Sequence, residues 1–436
     1  MAVDSNDLTR IFSTVSHSDE TRSTVILGAG IIGLSTAYYL CLDGNTKPDT
    51  IHLVEAADEL FASASGRAAG FLASDWFGPA TASLGALSFR LHKELADKHD
   101  GKEKWGYSRS TGTSLAAGNL PPDAPRGDDW LRTGGSQGSR AEVAGRHDFA
   151  GDAVGPAWLT RRRGDRVEII SEDATVAQVD PARLCRWLLQ ECVRMGVRLH
   201  QPARAVRVSR DAEGMMSGLR LRHGSGADLR LPCTRMLIAA GAWSGRVFAE
   251  LFPESSIELP ISRLAGHSIV VKSPRWSAKH EDQGCHAVFT TQESGFSPEV
   301  FSRIGGEIYV AGLNDPNLEL PETATEAKVN PKCVEELIIV AKRMLGQDGT
   351  DVNDLEIMKE GLCFRPTTHK GTPLLAHIPN EDLGPGIETR APPEGGVFVA
   401  AGHGPWGISQ SLGTGKVMAE MLGGEKTSSD VRRLGL

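Results

Sequence analysis

The chain has 436 residues, of which 40% are hydrophobic and 23% charged, a composition ordinary for a globular protein and long enough for two domains. Its formal net charge of −8 gives no support for binding nucleic acid or an anionic membrane, and no apolar run approaches the roughly 18 residues of a bilayer span. The seven cysteines (41, 185, 192, 233, 285, 333 and 363) are odd in number and form no C-x-x-C pair, and the thirteen histidines lack metal-ligand spacing, so free thiols in a reducing compartment are expected, with no disulfide framework and no metal.

Residues 1–21 are polar and carry Asp4, Asp7, Asp19 and Glu20 without an apolar core. They read as a disordered tail, neither a secretory signal nor a mitochondrial presequence. The final residues, Arg433-Leu434-Gly435-Leu436, are not a peroxisomal tripeptide, and a cytoplasmic location is expected.

The apolar run Val25-Ile26-Leu27 predicts a strand that enters Gly28-Ala29-Gly30-Ile31-Ile32-Gly33. A helix opens there, and a second apolar strand ends at Glu55. This is the dinucleotide fingerprint in its full context. Gly28 permits a tight turn, Gly30 lets a pyrophosphate approach the backbone, and Gly33 lets the helix pack close to the strand. The helix N-terminus offers free N–H groups and partial positive charge to the phosphates. Glu55, about 20 residues further on, suits a ribose and argues against NADP. The fingerprint alone leaves FAD and NAD open.

Residues 118–166 contain PPDAPRGDDW, GGSQGS and RRRGD and read as a long surface excursion, pinned by Trp130 and Trp158. It is a solvated insertion or a lid over the active site. Asp180-Pro181 is an N-cap followed by Pro at the first helical position. Helical spacing then runs through Leu184, Trp187, Leu188, Cys192 and Met195 to Gly196. The runs 205–208, 218–222 and 228–232 predict a β-meander. A strand over 236–240 enters Gly241-Ala242-Trp243-Ser244, and a helix is expected near 334–345. A second strand–glycine–helix unit closes the chain: Val397–Ala400, Gly402-His403-Gly404-Pro405-Trp406-Gly407, and a helix over 408–422. Its helix N-terminus suits the electron-rich edge of a reduced flavin.

These segments, with the ASASGRAAGFL run (62–72), VDPARL (179–184), IAAGAWS (238–244) and CFRPTTHKGTPLL (363–375), resemble the FAD-dependent oxidoreductases of the D-amino-acid oxidase superfamily, and among them the glycine oxidase and sarcosine oxidase branch. The resemblance spans residues 24 to about 422. It implies FAD held by Gly28, Gly30, Ile31, Ile32, Gly33, Glu55, Ala56, Ser63, Ser65, Arg67, Ala69 and Gly70. It places the backbone of Val206 in the adenine pocket and Ala240, Gly241 and Trp243 along the cofactor. His403, Gly404, Pro405, Trp406, Gly407 and Ile408 are implied to cradle the isoalloxazine. Read from the residues alone, Ser63 and Ser65 are equally ordinary loop or capping serines, and Trp243 is equally a core residue.

The implied chemistry is amine oxidation. Hydride passes from the carbon bearing nitrogen to flavin N5, water hydrolyses the imine, and dioxygen reoxidises the flavin. The implied partners are therefore a small-molecule amine or amino acid and dioxygen. Arg365 is the expected carboxylate-binding residue, because a guanidinium fork matches a planar carboxylate; a structural Arg is the bland alternative. Glycine oxidases carry a second Arg in a GHFRNG-like turn, where this chain has Pro405 and Trp406. His403 and Trp406 join Arg365 as expected active-site residues, and a secondary amine or larger substrate is as compatible as a small amino acid. Sarcosine-oxidase-like members attach flavin covalently through a Cys two residues before the Arg365 position. Cys363 stands there, either as that attachment point or as a buried free thiol.

The expected fold is α/β: a Rossmann-like FAD-binding domain from residues 22–90, 175–245 and 360–424, and a mixed-sheet substrate domain from 91–174 and 246–359. The competing functions are a flavin monooxygenase, whose late Gly-Asp motif is missing after the 238–244 strand, and a catalytically silent FAD-bound scaffold or trafficking factor.

Overall fold

The computed structural model describes residues 22–118, 155–171, 173–291, 297–347 and 349–436. The tail (1–21), Trp130 and most of the excursion lie outside the described residues.

Thr24–Leu27 is buried along its whole length, as a parallel strand covered on both faces must be. It pairs in parallel with Ile51–Val54 on one side and Arg235–Ile238 on the other. The sheet extends to Arg198–His200 at one edge. At the other it continues through Gly396–Ala401 to the antiparallel edge strand Leu374–Ile378. Both glycine turns therefore leave neighbouring parts of one sheet, although some 370 residues separate them in sequence.

Helices Ile31–Leu42, Ala82–Lys98, Pro181–Met195 and Ser411–Leu422 cover one face and share a core built on Leu34, Leu91, Leu188 and Leu412. Asp180 caps the third of these, its side chain accepting from Arg183 N at 3.0 Å, and Gly196 ends it in the left-handed region at φ 113°. The last helix begins at Ser411, three residues later than its apolar pattern suggests. Ile408 to Gln410 form a turn, in which the Ile408 carbonyl accepts from Ser411 N and Oγ and from the His92 ring at 3.0 Å. The opposite face of the sheet is covered by helix Ser244–Leu251 and by the expected meander, Ala203–Arg210, Met216–His223 and Asp228–Pro232.

The second sheet has nine strands. Its order is Glu356–Thr367, Ser262–Lys272, Glu307–Asp315, Glu299–Arg303, Cys285–Thr291, Ser108–Ala116, Val176–Gln178 and Phe71–Ala73, with Arg166–Ser171 paired to Ser108–Ala116. All its pairs are antiparallel except Cys285–Thr291 with Ser108–Ala116. Side chains alternate between its faces. Val288, Val300, Ile308 and Val310 pack with Leu337 and Val340 of helix Pro331–Met344. Phe289, Phe301, Tyr309 and Ala311 turn the other way, towards Phe71, Trp76 and Trp406. One face is thus aliphatic and helix-covered; the other is aromatic and faces the cleft between the sheets. Trp158 is fully buried in the aliphatic cluster, so it anchors the C-terminal stem of the excursion.

Candidate cofactor and active site

One long cleft runs from the Gly28–Gly30 turn, between the two sheets, to the aromatic face of the larger one. Its empty volume, counted out to its open mouth, is about 1890 Å³. Its length, from the glycine turn to the aromatic strands, is what a dinucleotide with a substrate beyond it requires.

At one end, helix Ile31–Leu42 starts directly on Gly30 with no side-chain cap and no acid in its first turn. Ile31 N donates to Ser65 Oγ at 2.9 Å. The N–H groups of Ile32 and Gly33 precede the first intrahelical bond, from Leu34 N to Gly30 O, and so lack a partner within the helix. Gly28 lies at φ 110°, and a Cβ there would sit 2.5 Å from the Ala239 carbonyl. Glu55 ties the first glycine turn to the segment after the second strand: its carboxylate accepts from Ala29 N at 3.1 Å and Ala57 N at 2.9 Å. Burial pushes its proton affinity up, opposed by those backbone donors. Uncapped helix N–H groups beside a glycine turn and a carboxylate over the next strand are the donor set that a dinucleotide's pyrophosphate and ribose need. The residues present fit FAD.

Of the other expected residues, Ala56, Ser63, Ser65, Ala69, Gly70, Ala240, Gly241 and Trp243 line this cleft. Ser63 Oγ also accepts from Phe364 N at 3.3 Å, which ties the 62–72 run to the strand carrying Cys363 and Arg365. Ala69 is held from behind. Its carbonyl accepts from Arg303 Nε at 3.0 Å and from Gln178 Nε2 at 2.6 Å. Trp243 faces the cleft while its indole N–H donates to the Pro321 carbonyl at 2.8 Å, and Arg246 grips Leu320 and Pro321 O at 3.1 Å. Together they strap the 320–324 segment along the cleft mouth.

At the far end, Phe71, Phe289, Phe301 and Tyr309 wall a box that also holds Glu299, Cys363, Arg365 and His403. Arg365 crosses over Gly266 to donate to Asn314 Oδ1 at 2.5 Å. A Cβ on Gly266 would stand 3.1 Å from Arg365 Nη1 and 2.8 Å from Asn314 Oδ1, so that glycine makes the crossing possible. His403 is buried and shares a 3.0 Å hydrogen bond between Nε2 and Thr414 Oγ1. Burial pushes its pKa down to about 3, so the imidazole is neutral at physiological pH. Gly404, Pro405, Gly407 and Ile408 line the cleft beside it.

Four expected residues are placed differently. Gly33 lies beneath the turn rather than in the cleft, its Cβ position 2.1 Å from the Gly28 carbonyl; its role is helix-to-strand packing. Arg67 turns away and donates to the Glu360 carbonyl at 2.9 Å. Val206 sits just past the cleft-lining Ala203, Arg204 and Ala205. It is the extra residue of a bulge between Ala205 and Arg207, which takes its backbone out of the ladder. Trp406 is a core residue, not an active-site wall. The turn Gly404–Trp406 sets its ring on Phe77, 4.7 Å between centroids, and Trp76, 6.5 Å, in the aromatic cluster behind the cleft-lining Phe71 and Phe289. Trp406→Phe should therefore leave KM for the amine within about threefold. Trp406→Ala should lower the melting temperature, through a loss of about 3–5 kcal/mol, with catalysis per folded, FAD-loaded molecule little changed. A selective KM effect in the Phe variant would return Trp406 to the site.

Sequence reasoning missed Glu299, Phe289, Phe301, Tyr309, Asn314 and the loop-pinning Arg303. They lie in three strands that carry no motif; the alternation of Glu299, Phe301 and Arg303 within one of them is the signal that could have placed those three on a shared face.

The family model described as FAD-dependent oxidoreductase (DAO) matches residues 23–421. A protein of Schizosaccharomyces pombe described as an oxidoreductase is 27% identical, over 94% of this chain and 97% of its own length. The glycine oxidase of Bacillus licheniformis is 24% identical, over 93% and 94%. Among solved structures, glycine oxidase from Geobacillus kaustophilus superposes with a TM-score of 0.67 at 19% identity, covering 95% of this chain and 98% of that one. The match spans both glycine turns and the strand carrying Arg365, and no helix among the described residues is long and apolar enough to cross a membrane. The chain belongs to the DAO family of FAD-dependent oxidoreductases and is related to the amino-acid oxidases and dehydrogenases.

Proposed function

We propose that the protein oxidises the C–N bond of an amine or amino acid, with dioxygen as the final acceptor. The observation that carries this reading is the continuity of the cleft between the two sheets. A dinucleotide cradle at one end leads without interruption to an aromatic box holding a half-buried Arg365 at the other. FAD, when bound, supplies the hydride acceptor at its N5. In this reading the cofactor rests on segments 22–90, 175–245 and 360–424, and the substrate on 91–174 and 246–359 together with Phe71 and Arg365, whose strands belong to the nine-stranded sheet.

The protein's own residues have four tasks. The glycine turn, the first helix N-terminus and Glu55 hold the phosphates and ribose. Arg365, braced by Asn314, orients a substrate carboxylate. Phe71, Phe289, Phe301 and Tyr309 exclude water, so charges in the box act through a low dielectric. His403, neutral and tied to Thr414, holds the 402–408 turn in place.

Cys363 lines the cleft, but burial pushes its thiol up, with Arg365 and Arg67 opposing. A thiol kept protonated is a poor nucleophile, so the flavin is expected to be non-covalent. Acid precipitation should release the yellow colour into the supernatant, equally from wild type and Cys363→Ser. Colour kept in the wild-type pellet and lost from the variant would overturn that assignment.

The function itself is tested by presenting the purified holoprotein with a panel of amines and amino acids. Anaerobic bleaching of the flavin together with aerobic oxygen uptake is the expected result. Bleaching without oxygen uptake would make it a dehydrogenase. A full complement of FAD that no member of the panel reduces would favour a silent scaffold.

A further inference from the structure

We propose that Glu299 is the amine-binding residue of this site: its carboxylate receives the substrate ammonium and takes the proton that must leave before the C–N bond is oxidised. The substrate class is then a zwitterion, an α-amino acid or its N-alkyl derivative, gripped by Arg365 at one charge and Glu299 at the other. This rests on the amine-oxidising reading above and deepens it.

The geometry points there in three steps. Glu299 is buried yet lines the cleft, on the same strand face as Phe301 two residues on. Directly across the ladder stands Ala311 on one side and Phe289 on the other, so a small neighbour leaves room beside the carboxyl. Among the described residues, the charge that reaches it is Arg365 of Glu356–Thr367, and its own charge is felt by Tyr309 of Glu307–Asp315. The adjacent Cys285–Thr291 strand presents the uncharged Phe289. A carboxyl buried in an aromatic box is costly to ionise. Bringing a substrate cation to it removes that cost, whereas a core position would be better filled by an apolar residue.

The proton step balances without a further reagent. The ammonium N–H bond breaks, a carboxyl O–H bond forms, and the nitrogen lone pair is freed; no electrons change hands. Burial lifts the Glu299 pKa to about 7, with Arg365 opposing, so the group is able to accept a proton near neutrality. The accepting form is the carboxylate, present above that pKa. Amino-acid turnover should therefore rise with pH through about 7.

The test compares wild-type and Glu299→Gln holoproteins. Flavin reduction is followed anaerobically with glycine, N-methylglycine, D-alanine and L-proline from pH 6 to 9. Acetate binding is read separately as a flavin difference spectrum. Glu299→Gln should lose the break near neutrality and at least 100-fold in kcat/KM for the amino acids. Acetate, which has no amine, should bind both proteins within threefold. Glu299→Asp, at equal FAD content, should restore part of the rate and a pH break. Equal amino-acid kinetics in wild type and Glu299→Gln would overturn the proposal. So would a variant that binds acetate much more tightly with no loss of amine turnover, which would make Glu299 only a counter-ion to Arg365. If the wild-type flavin is reduced by none of the four, the zwitterion assignment falls; reduction by other amines in the wider panel would then leave the amine-oxidising reading standing alone.

Discussion

Gly33→Ala should fail to give a stable protein, whereas Gly30→Ala should fold and lose its grip on FAD. The two positions are three residues apart in one motif, yet a Cβ meets different obstacles at each. At Gly33 it would stand 2.1 Å from the Gly28 carbonyl oxygen and 3.1 Å from Ile26 Cγ2. Relief requires helix Ile31–Leu42 to move off strand Thr24–Leu27, and with it the layer that packs on Leu34 and Leu40. Overpacking that only backbone movement relieves costs about 3 kcal/mol or more, a large share of a domain's stability. At Gly30 the backbone is extended, φ −75° and ψ −179°, a conformation open to any residue. Its Cβ would meet only the Ser65 side chain, Oγ at 2.9 Å and Cβ at 3.9 Å, and a χ1 change of that serine clears it at the cost of the one hydrogen bond Oγ accepts from Ile31 N. The methyl would instead occupy the cleft in front of the uncapped helix. An FAD affinity lower by roughly 100-fold, about 2.7 kcal/mol, is expected, with apo-protein stability lower only by that one hydrogen bond, about 1 kcal/mol. FAD titration and thermal unfolding of the apo forms check both. Equal melting temperatures for the two variants would refute the division of labour.

The cofactor half of this site was legible because its signals are contiguous. Gly28, Gly30, Gly33 and Glu55 belong to one βαβ unit, and the pairing of its strands follows from their order along the chain. Asp180-Pro181 and Gly196 marked a helix for the same reason, since capping is local chemistry. The substrate half was not legible. Arg365 was named through the resemblance, but its partners were not: Glu299, Tyr309 and Asn314 sit on strands brought towards it by ladder register across Gly266, and register is a non-local property. Alternation can put Glu299 and Phe301 on one face of a strand, but it cannot show that this face meets the cofactor cleft. Trp406 shows the converse error. It follows His403 and Pro405 closely, and both of those line the cleft, yet one turn of tight helix sends its ring into the core. Proximity along a chain places a backbone, not a side chain. Val206 has the same lesson in milder form, since a bulge rather than its residue type sets its backbone apart.

The layering also explains why the two halves meet where they do. The strand carrying Cys363 and Arg365 belongs to the nine-stranded sheet, and the next strand, Leu374–Ile378, is an edge of the six-stranded one. Ser63 binds the first of these at Phe364 N, so the segment following the fingerprint strand is tied directly to the substrate-side sheet. Displacement of one sheet against the other would have to break that tie. The distance between the cofactor cradle and Arg365 is thereby fixed by short connections, as placement of reacting groups demands.

Arg365→Met should keep its FAD and lose about 100- to 1,000-fold in kcat/KM for amino acids, roughly 3–4 kcal/mol of transition-state binding. Charge-assisted bonds from a guanidinium to a carboxylate in a water-poor box are among the strongest available to a side chain. Arg365→Lys should rescue little, because an ammonium cannot brace on Asn314 and still present a planar fork. Simple amines such as benzylamine have no carboxylate to lose and should change far less than amino acids. A second consequence follows from charge. The Arg365 cation opposes the upward push of burial on Glu299, so its removal raises that carboxyl's proton affinity further. The pH at which turnover rises should then move up from about 7, the accepting carboxylate being reached later. Loss of amino-acid turnover with an unmoved pH break would separate the two residues and leave Arg365 acting alone. Equal losses for benzylamine and amino acids would show that Arg365 shapes the cleft rather than binding a carboxylate.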